Sequence, residues 1–436
     1  MRGRWMAMAA MLGLAMPAAG QLLPSLGGGG GAPLGGLTGD LLGPRAGGAA
    51  MLGGGIQGGL DVVGGIARDM SPADLLSLRR DRLRALVRDN RKALDVDDAG
   101  NPVRRGEIVA TAPSDAALAA AQRAGFAILR RETVEGLGLP LAVLAPPHGL
   151  AARKAIATLR AADPQGDYAL NPVYEPAFAA LEPGGGPAAG GQAGGAPMGL
   201  IDGGIGAHPA FAGAAIEQRG FAGAVKPSGH GTAVASLMVG QAGAFRGVLP
   251  GGRLLAADIY GGSEANGSAE AIVRALGWLT ARGVRVVNVS LVGPPNPLLA
   301  AGVRAAQAKG VLVVAAVGND GPAAPPQYPA SYPGVVAVTG VDAKGRVLIE
   351  AGRAAHLDFA APGADMAGAV PGGGWEALRG TSFAAPLVAA SLARLDRGDG
   401  GQAIAALAGQ AKPGGKVGRG IVCGDCATPP RAVGIR

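Results

Sequence analysis

Residues 198–422 alternate short apolar runs with longer helical patterns. The apolar runs include Arg253–Ile259, Val284–Val289 and Val311–Ala316, and the helical patterns include Ala269–Arg282. Strands that alternate with helices form parallel sheets, because each connection has to cross back over one face of the sheet. The sequence therefore predicts an α/β domain over 198–422, a parallel sheet flanked by helices on both faces.

A shorter upstream stretch, residues 106–176, has a different pattern. Short apolar strands and alanine-rich helices follow one another in the order βαββαβ, from Glu107–Thr111 to Asp167–Leu170. A chain of this order can form an antiparallel sheet with two helices on one face. We therefore predict a small α+β domain ahead of the larger one.

Glycine marks the boundaries of these domains. The chain has 79 glycines, and they crowd into Gly27–Gly65 and Gly184–Gly195 without a Gly-X-Y period. This distribution excludes collagen and indicates flexible linkers, which we assign to 21–70 and 177–197. Because 48% of all residues are hydrophobic, the remaining chain can bury a sizeable core.

A helix is predicted between the first linker and the small domain. Ser71-Pro72-Ala73-Asp74 supplies a cap, a proline at the first helical position and an early acid. The sequence that follows is dense in Arg and Leu, which predicts a basic amphipathic helix over 71–95. We expect its arginines to form a solvated face and its leucines to pack on a neighbour, and binding to anionic lipid is the alternative.

The N-terminus predicts export. A basic start precedes the apolar stretch Trp5–Met16, which is too short to span a bilayer as a helix. This pattern is typical of a signal peptide, which we assign to residues 1–20. The mature protein is then expected to be secreted or periplasmic and to have no transmembrane anchor.

The chain has two cysteines, Cys423 and Cys426, both in the C-terminal tail 423–436. In an oxidising compartment they can close a small disulfide loop. Idle thiols and a redox motif are the alternatives, but no thioredoxin-like strand and helix surround the pair.

Charge and composition argue against nucleic acid as a partner. The net charge of +8 is spread over the whole chain, and only 3% of residues are aromatic, which leaves few platforms for base stacking. A polypeptide partner fits the sequence better.

Three residues combine into a candidate for nucleophilic catalysis. His230 lies in Ser-Gly-His-Gly-Thr and Ser382 lies in Gly-Thr-Ser-Phe-Ala-Ala-Pro, and an apolar helix begins at each. A serine needs a base within hydrogen-bond reach, and the base needs a third group to orient it. Asp202 ends a predicted strand and can supply that group, since helices and strand ends meet at one edge of a parallel sheet. The other three histidines, His148, His208 and His356, are expected to be structural or exposed.

These segments resemble a known family. Ile-Asp-Gly-Gly, His-Gly-Thr and Gly-Thr-Ser-Phe-Ala-Ala-Pro, in the order Asp, His, Ser, are similar to the signature segments of subtilisin-like serine peptidases, the subtilases. Val286-Val-Asn-Val-Ser-Leu-Val-Gly and Val313-Val-Ala-Ala-Val-Gly-Asn-Asp-Gly resemble two further segments of that family. The resemblance covers roughly 198–422.

The resemblance implies an activity and several site residues. It implies a hydrolase, a serine endopeptidase that cleaves polypeptides through an Asp202–His230–Ser382 triad, without a cofactor. It implies that Asn319 is the oxyanion donor and that Ser290, Leu291 and Gly293 bind the substrate. By position, size and element order, the domain 106–176 resembles the family's inhibitory propeptide, which implies a zymogen that processes itself in or near 182–197. An unrelated small domain that stays attached is the alternative.

Two departures from the family pattern affect these expectations. Gly203 stands where the family commonly has Ser or Thr, so one local hydrogen bond to Asp202 is expected to be missing. The stretch 241–250 contains no Asp, Glu or Asn, so we expect no calcium there and predict no metal site.

Other classes of protein stay open. A pseudopeptidase that binds a partner without cutting it needs no change in these residues, and a glycine-rich envelope protein can carry the domain as a scaffold. An esterase of the α/β-hydrolase type is disfavoured, because Ser382 lacks the Gly-X-Ser-X-Gly elbow.

Overall fold

The centre of the fold is a seven-stranded parallel sheet. We describe a computed structural model, which covers residues 70–176, 186–188, 195–424 and 426–436. The strands of this sheet are β7 (Met198–Asp202), β9 (Ala215–Gly220), β13 (Arg253–Asp258), β14 (Val286–Val289), β16 (Leu312–Ala316), β17 (Val336–Val341) and β18 (Phe359–Pro362). Across the sheet they lie in the order β18-β17-β16-β14-β7-β13-β9. The predicted α/β fold is confirmed. The predicted signal peptide, residues 1–20, and nearly all of both linkers lie outside the described residues.

Helices cover both faces of this sheet. Among the described residues, five helices follow the small domain: α4 (Gly229–Val239), α5 (Ala269–Ala281), α6 (Pro297–Ala308), α7 (Thr381–Leu395) and α8 (Gly400–Gln410). Successive strand residues point to opposite faces, so in β7 Leu200 packs in a core with α4, α7 and α8 while Ile201 packs in a core with α5 and α6. In β16, likewise, Val314 packs in the core with α4, α7 and α8, and Val313 packs in the core with α5 and α6. Both faces are therefore buried.

The upstream region forms the predicted antiparallel sheet. Its elements are α1 (Pro72–Asp89), β1 (Leu94–Val96), β2 (Pro102–Thr111), α2 (Asp115–Arg123), β3 (Ala127–Val134), β4 (Leu139–Ala145), α3 (Ala152–Ala162) and β5 (Asp167–Pro172). The βαββαβ order of β2 to β5 is confirmed. Ile108 and Leu144 face α2 and α3, whereas Val109 and Val143 pack in the same core as α5 and α6 of the larger region. The small sheet is therefore covered on both faces, and on one of them by the α/β region.

Two predicted boundaries move in the structure. The basic helix α1 ends at Asp89 instead of residue 95, because the side chain of Asn90 donates to the carbonyl of Leu86 and ends the last turn. Leu94, which was expected to be helical, is fully buried in β1 and pairs with Arg104 of β2. Strand β2 consequently begins at Pro102, before the predicted start of the domain.

The remaining strands are short. They are β6 (Glu175–Pro176), β8 (Gly204–Ile205), β10 (Pro227–Ser228), β11 (Gln241–Ala242), β12 (Phe245–Arg246), β15 (Leu291–Val292), β19 (Met366–Ala369) and β20 (Trp375–Leu378). The stretch without acids, 241–250, contains the hairpin of β11 and β12. Near the C-terminus Cys423 and Cys426 form a disulfide.

Glu376 of the β19–β20 hairpin should make stability depend on pH. Its Oε1 is buried and has no hydrogen-bond partner among the described residues, and burial raises the pKa of Glu376 to about 7 from its usual 4.5. As the pH rises from 4.5 to 7, the unfolded chain releases this proton before the folded chain does, so stability falls.

We expect Glu376→Gln to raise the free energy of unfolding at pH 8 by on the order of 1–3 kcal/mol and to change it little at pH 4. The measurement is urea unfolding at both pH values, in a Ser382→Ala background so that proteolysis does not interfere. The exposed Glu135→Gln serves as the control. An equal gain at both pH values would show that the effect is not one of protonation.

Candidate active site

Asp202 is the last residue of β7, a central strand, and is 1% exposed. Strand β7 lies between β13 and β14, so its carboxyl end opens at the middle of the sheet. Both carboxylate oxygens of Asp202 accept from Nδ1 of His230, at 2.8 and 2.9 Å. The sheet therefore brings the first two predicted residues together from positions 28 residues apart.

His230 is the second residue of α4 and is 2% exposed. A carboxylate can only accept a hydrogen bond, so the ring nitrogen that contacts Asp202 carries a proton, and in the neutral ring Nε2 then carries the lone pair. Within the described chain Nε2 has no hydrogen-bond partner. A buried imidazole held in this tautomer can accept a proton at Nε2.

Ser382 is the second residue of α7, the helix that begins after Gly380. Gly380 has φ of 140°, a conformation that side chains disfavour, and this turns the chain sharply into the helix. The ring of Phe383, the next residue, lies 5.5 Å from the ring of His230. The Ser382 Oγ is buried, and no described residue hydrogen-bonds to it. The start of α7, where Ser382 lies, is therefore close to the ring of the candidate base.

Gly203 has no side chain that could donate to Asp202, but its backbone does. Its backbone N–H donates to Oδ1 of Asp202 at 2.7 Å, so a backbone donor is present where a side-chain donor is absent. A Cβ at Gly203 would clash with Oγ of Ser228, which accepts from the N–H of Gly231 at 2.9 Å and caps α4. Glycine at position 203 therefore leaves room for the cap of the helix that carries His230.

Asn319 has an amide of fixed orientation. Its Oδ1 accepts from the backbone N–H of Thr381 at 2.9 Å, and only an oxygen can accept from that donor. The Nδ2 group is thereby turned away from Thr381, and it is buried without a partner among the residues described. The hydroxyl of Thr381 in turn accepts from the N–H of Gly318 at 3.1 Å. Two hydrogen bonds therefore join Gly318 and Asn319 to Thr381 in the first turn of α7, and the Nδ2 donor of Asn319 stays unused.

The predicted substrate strand is already paired with the chain itself. Strand β15 runs antiparallel to β6, with Leu291 opposite Pro176 and Val292 opposite Glu175. Ser290, just before β15, donates from Oγ to the carbonyl oxygen of Ser382 at 2.8 Å. The end of the small domain therefore leads along β15 toward Ser382.

Gly293 differs from its predicted role. Its N–H and carbonyl exchange hydrogen bonds with Tyr328, at 3.1 and 3.0 Å, so its backbone faces away from β6. Because backbone groups alternate along a strand, Val292 is the residue that faces β6. The absence of a side chain at Gly293 makes room for the buried ring of Tyr174, because a Cβ at this position would clash with that ring.

Three residues that contribute to the site were not predicted from the sequence: Val292, Tyr174 and Arg82. Val292 could have been found from the alternation of strand residues, given the position of Ser290. Tyr174 and Arg82 had no local signal, because their partners lie far along the chain. Tyr174 donates from its hydroxyl to the carbonyl of Pro294 at 2.6 Å, and Arg82 contacts Asp320.

Comparisons with known proteins identify the class. Residues 198–400 match the subtilase family. Subtilisin Savinase of Lederbergia lenta is 35% identical over 204 residues, which cover 46% of this chain and 75% of that protein. Subtilisin E of Bacillus subtilis (strain 168) is 33% identical over 172 residues, 38% of this chain and 45% of that protein. The chain belongs to the subtilase family, and it is a subtilisin-like serine endopeptidase.

A solved structure extends the likeness of the fold. Fervidolysin from Fervidobacterium pennivorans, a keratinolytic enzyme related to subtilisin, superposes with a TM-score of 0.63 at 19% identity. The match covers 76% of this chain and 62% of fervidolysin. At this identity the likeness concerns the fold.

Proposed function

We propose that this chain is an exported serine endopeptidase, made as a self-inhibited zymogen, that cleaves peptide bonds through an acyl-enzyme on Ser382. The observation that carries the proposal is the pair formed by Nδ1 of His230 and Asp202 at 2.8 Å, with Nε2 unpartnered within the described chain and Ser382 on the adjoining helix turn. Asp202, His230 and Ser382 form the proposed triad.

The proposed reaction follows from the protonation of His230. Ser382 Oγ attacks the carbonyl carbon of the substrate while its proton passes to Nε2 of His230. Asp202 stabilises the imidazolium that forms and keeps its Nδ1 proton in place. The imidazolium then gives a proton to the leaving amine, which leaves the acyl-enzyme. A water molecule next attacks the acyl carbon while His230 takes its proton, and His230 returns that proton to Ser382 Oγ as the acid product leaves.

The proposed oxyanion site uses the unused amide of Asn319. Negative charge develops on the carbonyl oxygen as Ser382 attacks, and a donor held in advance stabilises it without reorganisation. The bond from Thr381 N–H to Asn319 Oδ1 turns Nδ2 outward as such a donor. The backbone N–H of Ser382, at the start of α7, is the second proposed donor.

The proposed inhibition rests on β6. An extended peptide bound to an endopeptidase adds a strand to an exposed strand of the enzyme, and β6 takes that place on β15. Tyr174, fully buried, anchors the segment from one side: its N–H donates to Gly267 and its carbonyl accepts from Tyr260. A bound segment of the same chain excludes other polypeptides, and it is itself held for cleavage.

The register of β6 suggests where the chain cuts itself. Leu291 lies opposite Pro176, so the next residue of any peptide bound in this register lies opposite Ser290, which contacts Ser382. Ala177 follows Pro176 in the sequence, and we therefore propose cleavage of the bond between Ala177 and Phe178. The linker 182–197, favoured by composition, lies further along the chain.

N-terminal sequencing of the mature chain tests this position. We expect incubation of the purified full chain to produce a large fragment that begins at Phe178 and a small one that ends at Ala177. A fragment that begins within 182–197 would contradict the register and support a cut in the linker.

Export is proposed from the predicted signal peptide and the disulfide. The bond between Cys423 and Cys426 is favoured in an oxidising compartment outside the cytosol. In the part of the chain that the structure describes, no helix is both long and apolar enough to cross a membrane.

A fluorophosphonate probe tests the proposed nucleophile. Such probes phosphonylate activated serines, so we expect the processed chain to be labelled at Ser382, located by peptide mass spectrometry, and to hydrolyse an unfolded protein. The unprocessed chain should label slowly, because β6 occupies the site. A processed chain that neither labels nor hydrolyses an unfolded protein would contradict the enzymatic proposal and support a pseudopeptidase.

A further inference from the structure

Charged groups of the small domain converge beside the proposed oxyanion residue. Arg82 of α1 donates from Nη2 to Oδ1 of Asp320 at 3.0 Å and to Oε2 of Glu175 at 3.2 Å. Arg79 donates from Nε to Oδ2 of Asp320 at 3.1 Å. Asp320 follows Asn319 directly and is 5% exposed. Two arginines of one helix therefore bond both oxygens of a carboxylate at the candidate site.

Most arginines of α1 are exposed, as expected for a solvated basic face, and Arg79 is the exception. Arg79 is 13% exposed, and Leu75 of the same helix packs against Gly321. The helix thus lies on the loop that carries Asn319 and Asp320. Arg79 and Arg82 are the arginines of α1 that bond Asp320.

Glu175 occupies the position of a substrate residue, opposite Val292. Its carboxylate would repel the carboxylate of Asp320 if nothing lay between them, because like charges at short distance are unfavourable. One guanidinium nitrogen of Arg82 bonds both carboxylates and offsets this repulsion. The bound segment therefore has the wrong charge for this site and relies on an arginine supplied by α1.

Cleavage after residue 177 would separate these charges. Arg79, Arg82 and Glu175 all precede the cut and leave with the small domain, whereas Asp320 stays with the enzyme and loses both arginines. Glu264 also stays. Burial raises the pKa of Glu264, and the charge of Glu175 raises it further, whereas Arg82 lowers it. Glu264 therefore interacts electrostatically with both Glu175 and Arg82.

We propose that Asp320 is a specificity-determining residue that selects a basic side chain at the third position before the cut bond, the position that Glu175 holds in the zymogen. The inference rests on the proposed function. The guanidinium of Arg82 already lies within hydrogen-bond distance of both the Glu175 carboxylate and Asp320. A substrate arginine has a longer side chain than glutamate, so from the same backbone position its guanidinium can reach Asp320 directly.

Peptides that copy residues 173–180, Val-Tyr-Glu-Pro-Ala-Phe-Ala-Ala, test this selectivity. Three versions carry Glu, Arg or citrulline at the position of Glu175, and citrulline keeps the shape of arginine without its charge. With mature enzyme at low salt, we expect kcat/KM for the Arg peptide to exceed that for the citrulline peptide by about tenfold, with the Glu peptide lowest. The ratio should fall as salt is raised.

Two variants assign the effect to Asp320. Asp320→Asn should bring the ratio of Arg to citrulline close to one. Glu217→Gln, which removes an exposed carboxylate paired with Arg282 on an edge strand, should keep the wild-type ratio. Equal cleavage of the three peptides by wild type, or a ratio that survives Asp320→Asn, would overturn this inference while leaving the proposed function standing. If no peptide and no unfolded protein is hydrolysed, the proposed function fails and takes the inference with it.

Discussion

We expect Ser382→Ala to leave the chain at its full length and to reduce hydrolysis by about 10⁶-fold, a magnitude taken from subtilisin. The hydroxyl that attacks the carbonyl is lost, and neither His230 nor Asn319 can replace it. Because the segment to be cut is part of the same chain, loss of the nucleophile should also preserve the contact of β6 with β15. Chain length on a denaturing gel and release of peptides from an unfolded protein measure both effects.

Ser391→Ala is the matched control. Ser391 lies in the same helix, is 1% exposed, and donates to the carbonyl of Leu387, so it resembles Ser382 in burial but lies outside the site. We expect this variant to process itself and to hydrolyse protein at close to the wild-type rate. If Ser382→Ala is processed as wild type is, in the absence of any added protease, Ser382 is not the nucleophile.

We expect Asn319→Ala to lower kcat by about 10²–10³-fold with little change in KM, again a magnitude taken from subtilisin. The amide Nδ2 would bond the oxyanion of the transition state and not the ground-state carbonyl, so its loss should affect the rate and spare binding. Steady-state kinetics on the peptide that copies residues 173–180 measure this split.

A second substitution separates catalysis from folding. Asn319 also accepts from the N–H of Thr381, so alanine removes a structural contact together with the donor. Asn319→Asp keeps an oxygen for that contact and lacks the donor. We expect its kcat to fall at least as far as in Asn319→Ala while its thermal midpoint stays closer to wild type. A kcat near wild type in either variant would remove Asn319 from the proposed mechanism.

The sequence predicted those parts of the protein that depend on local pattern. The alternation of strands and helices over 198–422 predicted the parallel sheet, and the order βαββαβ predicted the small domain. Asp202 and His230 were placed at a strand end and a helix start, and the structure joins them at 2.8 Å. The backbone role expected for Gly293 was wrong, because the edge that a strand residue presents depends on which neighbours flank it.

For helix α1 the sequence predicted the start correctly, but it did not predict the end or the tertiary contact of Arg79. The cap at Ser71 and the arginine-rich pattern predicted a basic helix, and its start is confirmed by the hydrogen bond between Ser71 Oγ and the N–H of Asp74. Its end was wrong, because Asn90 closes the helix and Leu94 enters a strand. The solvated face was also wrong for Arg79, whose partner Asp320 is 241 residues away in the chain.

By itself, the sequence determined which elements form and which residues are able to carry the chemistry. Periodicity, caps and the glycine turns before His230 and Ser382 act over a few residues, so they can be read without coordinates. Only the tertiary structure decided that β6 pairs with β15 and that Arg82 lies between Glu175 and Asp320. Arg82 and Asp320 are 238 residues apart, and the packing of the small sheet on α5 and α6 is what brings them together.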